Sequence, residues 1–318
     1  MKRNLLLFCI IIGLLLGGNF LFPLGLNPYF YLILIMCGVN IILGVSLNII
    51  NGMAGQFSMG HAGFMAVGAY TSAAVTYYGL LPHASSYFTQ PIFFLISVLA
   101  GALVSALFGY VVGLPSLRLR GDYLGIVTLG FGEIIRVIIL NMNVLGGARG
   151  FTGIPIWSNF FWVGFFVVMV VMVSFRLRNS YHGRALFSIR EDEVASEAMG
   201  INISGYKVRA FVLSSFFAGI AGGLFAHIQG YLDPGTFTFL KSFDAIIIVV
   251  LGGMGSISGA VVAATVTTIL LEALRELQRF TGGVDLRMII YPVVLLSLML
   301  ARPQGLFGNK ELSLRKKR

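Results

Sequence analysis

The sequence predicts an all-α polytopic membrane protein, and three observations carry that prediction. First, 57% of its 318 residues are hydrophobic and only 11% are charged, whereas soluble domains run to about 45–50% and about 25%. The mean hydropathy is +0.91. Second, the apolar residues form solid blocks such as "FFVVMVVMVSF". Only helices and closed barrels satisfy their backbone in lipid, and a barrel would alternate in segments of about 10 residues. Third, the basic residues behind the net charge of +10 flank the blocks, as lysine and arginine do on the cytoplasmic side of a membrane. No basic patch is interleaved with aromatics and no helix-turn-helix pattern is present, so nucleic acid is excluded as a partner.

Taken in order, the blocks predict spans near 5–22, 29–50, 57–78, 91–114, 122–140, 156–175, 206–228 and 288–301, with a composite segment at 243–274. That amounts to about 9–10 membrane-inserted helical segments at ~20 residues per crossing. Lys2-Arg3 and the apolar run to Phe22 look like a signal peptide. No small-residue cleavage site precedes Pro23, so the run reads as an uncleaved first span. Cys9 and Cys37 both fall inside apolar runs, which indicates neither a disulfide framework nor a metal site.

Orientation follows from the loops. The connection 79–90 carries no lysine or arginine, the turn 115–121 carries Arg118 and Arg120, and the loop 176–205 carries Arg176, Arg178, Arg184 and Arg190. Starting Lys2-Arg3 inside and alternating sides places both basic loops inside. For the terminal "RKKR" to be inside too, so that both termini are cytoplasmic, 243–274 must enter and leave on one side. Its first half, "FDAIIIVVL", is nine residues long before Gly252-Gly253. At 1.5 Å per residue it reaches only ~13 Å. A helical hairpin or a broken helix is therefore expected around "GGMGSISG".

That second motif has a counterpart. "GMAGQFSMG" at Gly52–Gly60 and "GGMGSISG" at Gly252–Gly259 share a Gly-Met-(x)-Gly-polar-apolar-Ser pattern, and an Ala/Val/Gly-rich helix follows each. Interrupted hydrophobic segments in corresponding places point to a transporter's midplane site. Broken or re-entrant helices are thus expected near 51–60 and 252–259, with Gln56, Ser58, His61, Ser256 and Ser258 as candidate pathway residues. Close helix packing accounts for the glycines equally well, but it does not account for the polar side chains, each of which needs a partner or a wet cavity.

The other charged positions read as structural. Glu133 and Arg136 stand at i, i+3 and are expected to pair. Asp244 fits the first turn of a helix capped by Ser242. His227 and Gln229 fall at a span end, where polar residues are ordinary, and His61 inside its span suits packing or gating.

The largest polar insertion is 181–205. Ser188 and Glu191 have the spacing of a capping box, Glu191, Asp192 and Glu193 suit a first helical turn, and Gly200 suits a left-handed C-terminal cap. A helix over 189–199 is predicted. Val194 with Ala198 and Ala195 with Met199 would give it a small apolar face. The chain contains no G-x-x-x-x-G-K-[S/T] phosphate loop, so any nucleotide chemistry belongs to another subunit.

The stretches "GQFSMGHAGFMAVGAY", "LRLRGDYLGIVTLGFGEIIRVI", "SIREDEVASEAMGINISGYKVRAFVLS", "FAGIAGGLFA" and "GGMGSISGA" together resemble the permeases of branched-chain amino-acid ABC importers, in particular the M-type subunit. The resemblance runs from about Asn40 to Gly305. It implies a single transmembrane permease domain, 1–318, with a cytoplasmic coupling loop at 176–205, in a bacterial inner membrane. It also implies a second permease subunit, two cytoplasmic ATP-binding subunits and an extracytoplasmic substrate-binding protein that delivers leucine, isoleucine or valine. The chain itself then needs no cofactor, because ATP is used by the partners. The family's docking loop maps onto Glu191, Glu193, Ala195, Glu197, Ala198 and Gly200. Here Glu193 stands seven residues before Gly200 and no proline follows, a departure from the general pattern.

Three other readings compete. A permease of the same family for urea or short amides would look alike. An ion-coupled secondary transporter needs a buried acid, for which Glu133 is the candidate. An intramembrane enzyme would show H-E-x-x-H or G-x-S-x-G, and neither is present.

Overall fold

A computed structural model describes residues 27–80, 89–116 and 121–280, together with isolated positions between 13 and 25 and between 293 and 311. The predicted spans 5–22 and 288–301, apart from those isolated positions, lie outside the described residues, as do Lys2-Arg3, Cys9 and the basic tail. Within the described residues six helices are long and apolar enough to cross a membrane, and the all-α polytopic class holds.

Helix α1 (Pro28–Asn48) starts where the Asn27 side chain accepts the Tyr29 amide and Pro28 takes the first turn, a position that tolerates its missing N–H. A wide π-turn, Ile49–Met53, continues it. Helix α2 (His61–Ala74) begins only after an extended stretch and ends in a second π-turn, Val75–Leu80. Helices α3 (Gln90–Ser116) and α4 (Asp122–Asn141) follow. Helix α5 (Phe160–Asn179) starts later than the apolar run suggests, because the Asn159 side chain caps it through the Trp162 amide.

The loop departs from expectation. Instead of one helix over 189–199, the chain forms α6 (Tyr181–Glu191) and α7 (Glu193–Ala198), separated by an extended Asp192. The cause is a competition between caps. The Asp192 carboxylate accepts the amides of Val194 and Ala195 at 2.8 and 3.0 Å, while the Ser188 hydroxyl meets the Ser196 hydroxyl at 2.8 Å. Glu191 therefore ends α6 rather than opening a helix. Gly200, at φ +81°, does take the left-handed conformation that only glycine adopts readily.

Helix α8 (Ile203–Gln229) crosses back, and a short antiparallel pairing of Phe151–Thr152 (β1) with Tyr231–Leu232 (β2) marks the end of the bundle opposite the loop. The chain then turns inward. Phe237 is buried against Tyr70 and Phe225, and α9 (Phe239–Gly252) runs to the loop end, where α10 (Ile257–Phe280) starts back. Glu272 of α10 receives a hydrogen bond from Tyr29 at the start of α1, whereas Gly255 meets Asn48 at the finish of α1. The α9–α10 unit thus enters and leaves at the same end, as a helical hairpin.

Helix α2 lies at the centre, between α3 and α8. A Cβ at Gly68 would stand 2.3 Å from the Gly219 Cα, and one at Gly101 would stand 2.5 Å from the Gly68 carbonyl oxygen. Three backbones meet there at a distance that only glycine permits. The outer helices α4 and α5 keep most of their length unburied, with Ile126, Ile134 and Met172 exposed. Apolar surface this extensive is the signature of a membrane-facing layer.

Candidate functional site

Two helix breaks face each other at the loop end, one closed by Asn48 of α1 and the other by Asn51 of the π-turn that continues it. In the first, residues 54–60, the Asn51 Oδ1 accepts the Ser58 amide at 3.1 Å and its Nδ2 donates to the Ser58 carbonyl at 3.4 Å. In the second, 253–256, the Asn48 Oδ1 accepts the Gly255 amide at 2.8 Å and its Nδ2 donates to the Ser256 carbonyl at 3.0 Å. A side-chain amide offers a donor and an acceptor side by side, so it can replace the backbone pairing that a break removes. Sequence reasoning missed both asparagines. Their one visible signal was polarity in an apolar run, three residues apart, just ahead of Gly52.

Of the five candidate pathway residues, the structure separates two groups. Gln56, Ser58 and His61 are buried. Both Gln56 amide atoms, the Ser58 Oγ and the His61 Nδ1 have no hydrogen-bond partner among the described residues. The protonation of His61 can be assigned from its neighbours. Ser46 donates its hydroxyl proton to the Leu43 carbonyl, so at 2.7 Å it can only accept from His61 Nε2. That fixes the Nε2–H tautomer and leaves Nδ1 as a bare acceptor. Native structures pair nearly all such buried groups, which makes four unpaired atoms within residues 56–61 notable.

Ser256 and Ser258 are differently placed. The Ser256 Oγ accepts the Gly259 amide at 3.1 Å. The Ser258 hydroxyl donates to Glu311 at 2.5 Å, and Glu311 also accepts the Ile257 and Ser258 amides and pairs with Arg178 at 2.8 Å. The chain's own tail therefore caps α10. The same tail serves α9, since the Leu306 amide donates to the Leu251 carbonyl at 2.7 Å.

The polar residues read as structural in the sequence resolve into contacts. Glu133 and Arg136 pair at 2.7 Å, and Glu133 also accepts the Phe239 amide, so it caps α9 from another helix. The expected helix capped by Ser242, with Asp244 in its first turn, does not form. α9 starts at Phe239, ahead of Ser242, and the Ser242 hydroxyl accepts the Ala62 amide at 2.9 Å, supporting α2 instead. His227 is no ordinary span-end residue. It is fully buried, with Nδ1 at 2.9 Å from the Pro155 carbonyl and Nε2 at 3.3 Å from the hydroxyls of Ser72 and Thr76. A carbonyl only accepts, so Nδ1 carries the proton. Ser72 and Thr76, one helical turn apart, were the signal for this knot.

In the loop, Glu191, Ala195, Glu197, Ala198 and Gly200 are exposed. Glu193 is half-buried, and its carboxylate pairs at 2.5 Å with Lys207, which is only 5% exposed at its side chain. The apolar pairs expected to form a face, Val194 with Ala198 and Ala195 with Met199, all point outward.

Comparison with known proteins adds the following. Residues 29–300 match the family model described as the permease component of the branched-chain amino acid transport system. The chain is 38% identical over 307 residues to the high-affinity branched-chain amino acid transport system permease protein LivM of Salmonella typhimurium, covering 85% of this chain and 68% of that one. Against the protein of the same name from Escherichia coli the identity is 36%, covering 84% and 67%. A probable branched-chain amino acid transport permease protein LivM of Methanocaldococcus jannaschii is 27% identical, covering 88% and 93%. The LivH permease of Salmonella typhimurium aligns over 53% of each chain at 29% identity.

Proposed function

This chain belongs to the branched-chain amino acid transport permease family, and from that premise we propose that it is the membrane-spanning subunit of an ATP-driven importer for leucine, isoleucine and valine. The match over residues 29–300 carries the reading. The membrane is a bacterial inner membrane with both termini in the cytoplasm. A second permease subunit completes the pathway, two cytoplasmic ATP-binding subunits drive it, and an extracytoplasmic binding protein supplies the solute. The chain requires no cofactor.

Alternating access needs two conformers and a driver that binds them with different free energies. Moving such an equilibrium from 1:99 to 99:1 takes about 5.5 kcal/mol of differential binding. ATP-driven closure of the partners supplies this at α7 and the residues flanking it, through Glu191, Glu193, Ala195, Glu197, Ala198 and Gly200. The exposure of most of these residues supports the assignment. On the pathway, Gln56, Ser58 and His61 offer hydrogen-bonding atoms that the described residues leave unused, suited to the passing ammonium and carboxylate of an amino acid. Ser256 and Ser258 shape the second break beside it.

The ion-coupled alternative is less well supported, because Glu133, its candidate acid, is committed to Arg136 and to the Phe239 amide. The decisive experiment is uptake by proteoliposomes holding the permease with its ATP-binding subunits and binding protein. Leucine accumulation should require ATP and survive a protonophore. Accumulation of urea in preference to leucine would move the cargo to short amides, and protonophore-sensitive uptake without ATP would overturn the reading.

A further inference from the structure

Arg190 stands in the last turn of α6, one residue from the joint with α7. Its Nη1 donates to the Gly52 carbonyl at 2.8 Å and to the Met254 carbonyl at 3.3 Å. Gly52 lies in the turn that ends the α1 rod, and Met254 follows the last turn of α9. The Gly52 carbonyl is at a helix C-terminus and the Met254 carbonyl lies two residues past another, where the last carbonyls lack intrahelical donors and the dipole favours a cation. The fit around the side chain is close. A Cβ on Gly55 would come within 2.9 Å of Arg190 Cγ, and one on Gly255 within 3.1 Å of Arg190 Nη1. On its other side a cavity of about 830 Å³, lined by Val250, Met254, Arg302 and Gly305, gives the guanidinium room to swing.

We propose that Arg190 is the positioning residue through which the α6–α7 loop holds both helix breaks, so that loop, α1 end and α9 end move as one body during transport. This rests on the reading that α7 docks an ATP-binding subunit. The two breaks are already joined through Asn48; what Arg190 adds is their connection to the loop. A displacement of α7 then pulls on the residues just ahead of Gln56 and Ser256. A guanidinium suits the task because Nη1 alone carries two N–H donors fixed in a rigid plane, one for each carbonyl, whereas lysine offers a point charge on a flexible stem.

The test is reconstitution of the complete importer with Arg190→Met, which keeps the stem packed on Gly55 and removes the donors, and with Arg190→Lys. With both charged donors gone, uptake per ATP hydrolysed should fall about tenfold or more in Arg190→Met. It should fall less in Arg190→Lys, and ATP hydrolysis should persist in both. Unchanged uptake per ATP in Arg190→Met would overturn the proposal. A measurement that leaves Arg190 in place guards against a variant that fails to assemble. With Cys9 and Cys37 replaced by alanine, spin labels at Glu191→Cys and Met254→Cys should hold one separation in the ATP-free and ATP-trapped states. A change beyond about one helical turn, ~5 Å, would also overturn it. Crosslinking of Glu197→Cys to the ATP-binding subunit checks the underlying reading separately. If that crosslink is absent, α7 docking fails; if it forms while Arg190→Met stays coupled, only the role of Arg190 falls.

Discussion

At the scale of single residues, Asn48 and Asn51 do for two helix breaks what a β-partner does for a strand: they supply a donor and an acceptor at matching spacing. Asn48 is fully buried, so Asn48→Ala would strand the Gly255 amide and the Ser256 carbonyl. Buried unsatisfied groups cost about 1–3 kcal/mol each, and a clearly lowered melting temperature in detergent is expected. Asn51→Ala should cost less, because its bond to the Ser58 carbonyl is already long at 3.4 Å. Equal losses in the two variants would contradict this ranking. Little of this was legible in the sequence. An asparagine in an apolar run announces that it needs a partner, but the partner of Asn48 is backbone more than 200 positions away. Gln56, Ser58 and His61 stood out because polarity in lipid is rare, whereas His227 was underrated because its position near a helix end concealed its depth.

At the scale of elements, local chemistry was readable where one signal acted alone and misleading where two competed. Gly200 as a left-handed cap was legible. The helix start was not, because Ser188 and Asp192 are both good caps and packing chose between them. The structure predicts that Asp192→Ala weakens α7 by about 1 kcal/mol, the usual worth of an N-cap, seen as faster amide exchange over 193–198. Ser188→Ala, which removes only the contact to the Ser196 hydroxyl, should change that exchange less; the reverse order would restore the single helix over 189–199. The helix crossings offer a second test. Gly68→Val forces a side chain against the Gly219 backbone and should abolish accumulation of folded protein. Gly130→Ala, with nothing within 4 Å of the added carbon, should be tolerated, since alanine favours a helix by about 1 kcal/mol over glycine.

At the scale of the whole molecule, hydropathy gave the spans 29–50, 91–114, 122–140, 156–175 and 206–228 and the break inside 243–274, because these depend on segment length alone. The predicted span 57–78, by contrast, holds as α-helix only the fourteen-residue α2. The tail's role was invisible: nothing in "PQGLFGNKE" announces that Leu306 and Glu311 will cap the two sides of the second break. The orientation is testable directly. A membrane-impermeant thiol reagent should label Met199→Cys from the cytoplasmic face and Val144→Cys from the opposite face, both sites being well exposed. Labelling of both from one side would invalidate the topology. The brevity of α9 has a further consequence, for biogenesis. Its fourteen residues make a rod of ~21 Å at 1.5 Å per residue, short of the ~30 Å hydrocarbon core. The translocon therefore cannot release it sideways as an autonomous stop. Its seating depends instead on Glu133 and the amide of Ala62, contributed by helices synthesised more than a hundred codons earlier, which meet its Phe239 amide and Ser242 hydroxyl.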